Sequence, residues 1–245
     1  MALTVDRITR RMLGLIVDGT WPAGARIPPE RELAATFETS RPSVRSAVAR
    51  LVEWRMLVTR QGSGATVLAR HLWKADVLAL VIAELLEAND YAAVVPLAID
   101  ALEMRHELVR GLLVRASGRV KPGDLDSARD AALRAWAARD DLLRFSQIEV
   151  EVVPRVLLAA GMSASVWLVN SLVGPYLAVI EQVAAEAPVP ASYLDLMLPL
   201  LDAIEAGDGE KVGTQFDGLV ADLGMNTVAA LPEELRLELA KAMYD

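Results

Sequence analysis

Apolar side chains recur along the first third of the chain with two different periods. Over residues 3–17, Ile8, Met12, Leu15 and Ile16 stand at helical spacing, and the run stops in the glycine- and proline-containing segment 19–24. Pro29 then fits a first helical turn, where its missing N–H costs nothing, and opens a short helix through Leu33, Ala34 and Phe37. Glu38-Thr39-Ser40 reads as a turn, with Ser40 placed to cap a third helix in which Val44, Ala47, Val48 and Leu51 follow i, i+3, i+4, i+7. After Trp54 the pattern changes to short strands: 57–60 predicts one strand, Gln61-Gly62-Ser63-Gly64 a tight turn and 65–68 the return strand. Two short helices joined by a turn, then a hairpin, predict a winged helix-turn-helix. In that geometry the second helix of the pair enters the major groove by its N-terminal end, so Arg41, Ser43 and Arg45 are expected at base edges and phosphates.

From His71 onward the chain reads as helix after helix, over 73–87, 91–116, 124–138, 141–160, 163–187, 192–206, 208–223 and 232–244, with almost no strand signal. The predicted fold is therefore mainly α. Residues 1–70 form the winged helix-turn-helix with its small β-hairpin wing, and residues 71–245 form an all-α bundle. A bundle of this kind encloses space between its helices, a usual place for a small-molecule site.

Charge sharpens this division. The whole chain of 245 residues carries −8, but residues 1–70 hold 11 arginines against six acids, leaving −13 on the remainder. Counterion release on nucleic acid requires local positive charge, which the first segment has. With 53% hydrophobic and 24% charged residues, the whole length can bury cores. The absence of cysteine removes disulfides, thiolate nucleophiles and zinc–cysteine clusters, leaving His71 and His106 as the imidazoles. No run approaches the roughly 18 apolar residues of a membrane span. The start of the chain, with Asp6, Arg7, Arg10 and Arg11, is unlike a signal peptide. A cytoplasmic location without a membrane partner is expected. An enzymatic reading would use Glu149 and Glu151, or His106, as acid and base. Carboxylates at i, i+2 on a helix point in different directions, however, and no glycine-rich phosphate loop or nucleophile arrangement accompanies them. A non-enzyme without cofactor is expected.

The segments Pro28-Pro29-Glu30-Arg31-Glu32-Leu33-Ala34, Ser40-Arg41-Pro42-Ser43-Val44-Arg45, 51–58 and Gln61-Gly62-Ser63-Gly64 resemble, in order and spacing, the signature blocks of the GntR family's DNA-binding domain. The resemblance implies Arg31 and Arg45 at phosphates or guanines, Arg41 at a base edge, and the wing tip Gln61, Gly62, Ser63 and Gly64 at the minor groove. It also implies a homodimer on a pseudo-palindromic double-stranded DNA operator, acting as repressor or activator. Ser40, beside Ser43, is a candidate DNA contact as well. Duller roles stand beside these: a cap explains Ser40 completely, and Arg31 could pair with Glu30 or Glu53.

The second region is similar in length and helix content to the sensing and dimerisation domain of the FadR subfamily, a bundle of six or seven helices. The likeness rests on pieces such as Glu103-Met104-Arg105, Ala159-Ala160-Gly161 and Ala203-Ile204-Glu205-Ala206-Gly207-Asp208. Most members of that subfamily hold a metal on one Asp and three His. The positions that resemble them here are Glu149, Val153, Met197 and Leu219, of which three are apolar, so no metal is expected. Residues 102–105, Asn170, Gly174 and Tyr176 resemble the metal-free, acyl-CoA-responsive branch. That resemblance implies a fatty acyl-CoA, a fatty acid or another apolar acid as effector, with Arg105, Trp167, Asn170 and Tyr176 as ligand contacts. The alternatives are a small organic acid bound without metal, and an architectural DNA binder that senses nothing. Trp167 and Tyr176 also have a plain reading as core aromatics beside Val166, Val173 and Ile180.

Overall fold

The structure, a computed structural model, describes residues 2–60, 64–183, 188–229 and 233–244. It divides into two compact units, Met1–Asn89 and Asp90–Asp245. In unit 1, α1 (Ala2–Val17) packs on α3 (Arg41–Glu53), which also carries α2 (Glu30–Thr36). The shared core is built from Ile8, Met12, Leu13 and Ile16 of α1, Leu33 of α2, and Val44, Ala47 and Leu51 of α3. Leu13 takes the inward position expected of Leu15, which is only half-buried.

β1 (Leu57–Arg60) and β2 (Gly64–Val67) pair antiparallel in the register Leu57↔Val67 to Arg60↔Gly64. A segment that the sequence pattern leaves as loop adds an edge to this hairpin. Ile27 N–H donates to Ala65 O at 3.0 Å, Val67 N–H donates to Ala25 O at 2.9 Å, and Arg26 forms a bridge with Thr66.

The helix expected at 73–87 begins later, as α4 (Leu78–Glu87), because residues 70–77 turn through two short 3-10 segments. Trp73 anchors this stretch by donating its indole N–H to Leu68 O at 3.1 Å. Helix α4 packs on α1, so the first compact unit ends at Asn89 rather than at the expected residue 70. Asn89 adopts the left-handed conformation (φ 55°) that stops α4, and the Asp90 carboxylate then accepts from Ala93 N–H at 3.2 Å to cap the next helix.

Unit 2 contains α5 (Tyr91–Ala116), α6 (Asp126–Ala137), α7 (Leu142–Glu149), α8 (Val152–Ala159), α9 (Ser163–Val183), α10 (Tyr193–Ala206), α11 (Gly209–Ala229) and α12 (Glu233–Tyr244). The single helix expected over 141–160 is two helices. Pro154 has no N–H to give the Val150 carbonyl and its ring crowds that carbonyl, so α7 stops at Glu149 and Pro154 falls in the first turn of α8. The described part of the bundle accordingly has one helix more than the seven expected after residue 90.

Helix α6 presents Ala128, Ala131, Ala132 and Ala135, all fully buried, and these small side chains let α7, α8 and α10 pack closely on it. Glu205 of α10 holds the start of α6 in place, accepting from Gly123 N–H at 3.1 Å and Leu125 N–H at 3.3 Å and pairing with Arg129.

Gly207 ends α10 with φ 76°, and a Cβ there would lie 3.5 Å from the Cα of Gly118. The left-handed backbone, more than the space, demands glycine. Gly207→Ala is expected to destabilise unit 2 by about 1 kcal/mol and lower Tm by about 2–4 °C. Gly218→Ala, inside α11 with nothing within 4 Å of the new Cβ, is expected to raise Tm slightly. Thermal denaturation of both variants checks the contrast.

Candidate nucleic-acid interface and buried cavity

Helix α3 starts on a local hydrogen-bond pair. Ser40 is the N-cap (φ −80°, ψ 147°); its Oγ accepts from Ser43 N–H at 3.2 Å and lies 2.8 Å from Ser43 Oγ. Ser43 is only 8% exposed, so it does not face outward as expected. Its place three residues after the cap turns its hydroxyl back onto Ser40, and both serines are used in starting the helix. Arg41 and Arg45 are exposed one turn apart on α3, and Arg31 is exposed on α2.

Arg45 reaches across to α2 and grips Glu30: Nε donates to both carboxylate oxygens at 3.1 and 3.2 Å, and Nη2 to Oε2 at 2.9 Å. These bonds and the Glu30 charge push the Arg45 guanidinium above its usual range, so it is a permanent cation. Glu30, the alternative partner considered for Arg31, is held by Arg45. With 73% of the Arg45 side chain exposed, the pair is a surface one, open to exchange with another anion.

At the wing, Gln61, Gly62 and Ser63 lie outside the described residues. Gly64 is exposed with φ 76° and pairs with Arg60 in the β register. Arg60 is exposed beside the turn, and the exposed Arg26 brings its Cδ within 4.0 Å of the Gly64 Cβ position. Sequence reasoning missed both. Arg60 immediately precedes the turn and was legible there; Arg26 joins the wing only through the edge bridge to Thr66, 40 residues away, which no local pattern announces.

In unit 2 the four positions Glu149, Val153, Met197 and Leu219 converge on one buried cavity. Val152, Val156, Leu200 and Phe216 are among its other walls, and it leaves about 20 Å³ for the centre of a water molecule. A single carboxylate with two hydrocarbon side chains and a thioether is not a donor set for a divalent cation. Among the described residues no group of three or more His, Cys, Asp or Glu is placed to hold a metal.

Glu149 ends α7 and is 8% exposed. Burial raises its carboxyl above the ordinary range, and the Arg105 charge partly opposes the rise. Arg105 lies over the Tyr176 ring at 4.4 Å. Burial also raises the Tyr176 phenol, with Glu149 adding to the effect and Arg105 and Ser146 opposing it. The Tyr193 phenol is driven far up by burial, then by Glu149 and Tyr176. Phe145 meets the Tyr193 ring edge-on at 4.8 Å. The Tyr193 hydroxyl and the Ser146 Oγ are buried and make no hydrogen bond of normal geometry.

The four expected ligand contacts divide. Arg105 and Tyr176 come together beside Glu149, whereas Trp167 is 75% exposed and Asn170 is exposed as well. Helical phase explains this: Val166, Val169 and Leu172 turn inward on α9, which sends Trp167 and Asn170 out. Trp167 is therefore neither a cavity residue nor a core aromatic. His106 stacks on Phe216 at 5.3 Å and its Nε2 lies 2.9 Å from Asp217 Oδ1, an oxygen that also accepts from Arg110 Nε at 2.9 Å. It is tied into an α5–α11 ion-pair network.

Residues 4–67 match the model of the bacterial regulatory proteins of the gntR family. Unit 1 contains a GntR-family domain. A curated relative from Escherichia coli (strain K12), which carries the name of an L-lactate dehydrogenase operon regulatory protein, is 31% identical over 121 residues, or 49% of this chain and 45% of the relative. The chain thus matches less than half the length of that relative. A fatty acid metabolism regulator protein of Pectobacterium carotovorum is 26% identical over 168 residues, covering 67% of each chain. Among solved structures, the Listeria monocytogenes protein Lar, which controls expression of the agr system, aligns over 92% of this chain and 96% of its own with a TM-score of 0.54 at 14% identity. That likeness supports the fold alone. The GntR-family helix-turn-helix and its wing are thus present in the order expected from the sequence. Among the described residues no helix is long and apolar enough to cross a membrane.

Glu149 makes stability depend on pH with a definite sign. Its folded-state pKa lies above the unfolded value near 4.5, so as pH rises the unfolded chain ionises first and the folded state loses stability until its own carboxyl titrates. The ionisable groups facing it are the Arg105 cation from α5 and the uncharged Tyr176 and Tyr193 phenols from α9 and α10. Urea denaturation of Glu149→Gln is expected to show a shallower loss of stability than the parent as pH rises above about 4.5; parallel curves would contradict the buried-carboxylate assignment.

Proposed function

We propose that the chain is an effector-controlled transcription regulator that binds a pseudo-palindromic double-stranded operator as a homodimer. The observation that carries this reading is the exposed set Arg31, Arg41 and Arg45 on α2 and α3 of a GntR-family domain, with Arg26 and Arg60 at the wing. Arg41, at the first turn of α3, would enter the major groove, and Arg45 one turn later would exchange Glu30 for a phosphate. Gly64 and the wing tip approach the backbone or minor groove. Two copies related by a two-fold axis would present two α3 helices to two half-sites. Repressor or activator follows from where the operator lies. The relatives are named as regulators, which supports a non-enzymatic role.

Unit 2 takes the effector in this reading. Similarity to a fatty acid metabolism regulator supports an acyl ligand. Against that, a cavity of about 20 Å³ has room for about one water. A small effector without metal fits the cavity better.

Fluorescence anisotropy on duplexes selected from a random pool by the full chain tests the reading. Arg41→Ala is expected to weaken binding about tenfold or more and relax sequence preference. Arg45→Ala should reduce the slope of log K against log salt by about 0.9 for each phosphate it no longer neutralises, and Glu30→Gln should tighten binding by freeing Arg45 and removing a negative charge. Binding unchanged in both arginine variants would overturn the assignment of α3 as the recognition helix.

A further inference from the structure

The outer face of α9 is not explained by the folding of unit 2. Trp167 is 75% exposed and its neighbour Leu168 50%. With Ala164, Ser171 and Gly174, also exposed, they stand at i, i+3, i+4, i+7 and i+10 and form one stripe, on the side of the helix opposite the buried Val166, Val169 and Leu172. Leu158, near the end of α8, is a further large apolar side chain exposed close by in sequence. Single exposed apolar residues are ordinary, whereas a tryptophan and a leucine side by side on an uncharged stripe mark a contact surface. Gly174 points the same way: an exposed glycine inside a helix costs helix stability, and what it gives in return is close approach by another group.

Charge selects the occupant. Unit 2 holds 24 acids against 13 lysines and arginines, so two copies of it, each at −11, repel one another. Residues 156–180, however, are 25 consecutive positions without a charged side chain. A contact between copies centred on α9 sets no acid against an acid, and a partner recognised by its charge finds no counterpart on this stripe. Ser171 suits such burial, because its hydroxyl already donates to Leu168 O at 2.6 Å and is not stranded when water leaves. The stripe is also complementary to itself. A two-fold axis beside Ser171 lays one α9 antiparallel to the other and sets Trp167 and Leu168, one turn before the axis, over the partner's Gly174, nearly one turn after it. Large side chains then meet a residue that has none, twice by symmetry.

We propose that α9 is a two-fold contact between two copies of this chain, with Trp167 and Leu168 of each packed on the partner's Ser171 and the partner's Gly174 around an axis beside Ser171. This rests on the reading of the chain as a homodimer and names the surface that joins its copies. The tryptophan that family resemblance assigns to a ligand is then an interface anchor, one of the residue types that dominate the centres of such contacts.

Sedimentation velocity on the full chain without DNA tests it. The parent is expected to be a dimer, and Trp167→Asp, which puts a charge into the contact, to raise the dimer dissociation constant at least about thirtyfold with an unchanged far-ultraviolet circular dichroism spectrum. Cross-linking supplies a second measurement, because the chain has no cysteine of its own. Ser171→Cys is expected to form a disulfide-linked dimer under mild oxidation, while Ala137→Cys, exposed on α6, runs as a monomer on a denaturing gel. A monomeric parent, as when another protein or a lipid surface covers the stripe, overturns the proposal. So does a Trp167→Asp chain that dimerises like the parent, or a Ser171→Cys chain that cross-links no faster than Ala137→Cys. Should Trp167→Asp fail to fold, the cross-linking comparison decides alone. Anisotropy on the selected duplex separates the two readings. Dimers joined at α9 that bind no duplex sink the regulator reading and leave the contact standing, and duplex binding by a Trp167→Asp chain that is still dimeric sinks the contact alone.

Discussion

The cavity in unit 2 is bordered by a helix break at which one backbone hydrogen bond cannot form. Pro154 has no N–H for the Val150 carbonyl, and a continuous helix across this stretch is replaced by α7 and α8 with a two-residue break. The break makes Glu149 a helix C-terminal residue and starts a new helix that supplies Val153 and Val156 to the same cavity. A carboxylate in an apolar interior at the negative end of a helix is an arrangement that hydrocarbon packing disfavours. Arg105 on the Tyr176 ring offsets it in part, and the elevated Glu149 carboxyl reflects what remains.

Unit 1 is organised around a different ionic contact, which is exposed and exchangeable. Glu30 and Arg45 bind in a fork between α2 and α3, so the two helices of the helix-turn-helix are joined on the surface by an arginine that a phosphate could claim. Surface pairs of this kind contribute little to stability because water and salt compete for both partners. The same weakness leaves the arginine open to exchange with another anion. The Ser40–Ser43 pair, by contrast, is local and half-buried, and holds the start of α3 whatever Arg41 and Arg45 are doing.

Local chemistry made much of this legible in advance. Periodicity located α1 to α3 and both strands, the cap at Ser40 was readable from its place before Arg41-Pro42, and the long helices of unit 2 followed from their apolar spacing. What escaped was non-local or a matter of phase. The edge strand around Arg26 pairs with Thr66 far along the chain. Trp167 and Asn170 point outward because Val166, Val169 and Leu172 set the inward face of α9, a choice that composition alone leaves open between neighbouring stripes. The convergence of Glu149, Val153, Met197 and Leu219 was foreshadowed only by a family resemblance, since nothing in the spacing of residues on α7, α8, α10 and α11 reveals a common cavity.

A small cavity has a consequence for how an effector could act. A ligand shifts a conformational equilibrium only by its differential affinity for the two states, and one that fits both equally shifts nothing. With about 20 Å³ open, any effector body larger than a water molecule needs side chains such as Met197 and Leu219 to move, so it binds the widened arrangement and is excluded from the closed one. State selectivity then arises from packing density rather than from a separate switch element. The energy needed to widen the core sets how strongly the ligand discriminates, and the same energy lowers its apparent affinity. In the proposed reading of unit 2 as the effector domain, such a tightly packed core would favour a weakly binding, strongly discriminating effector.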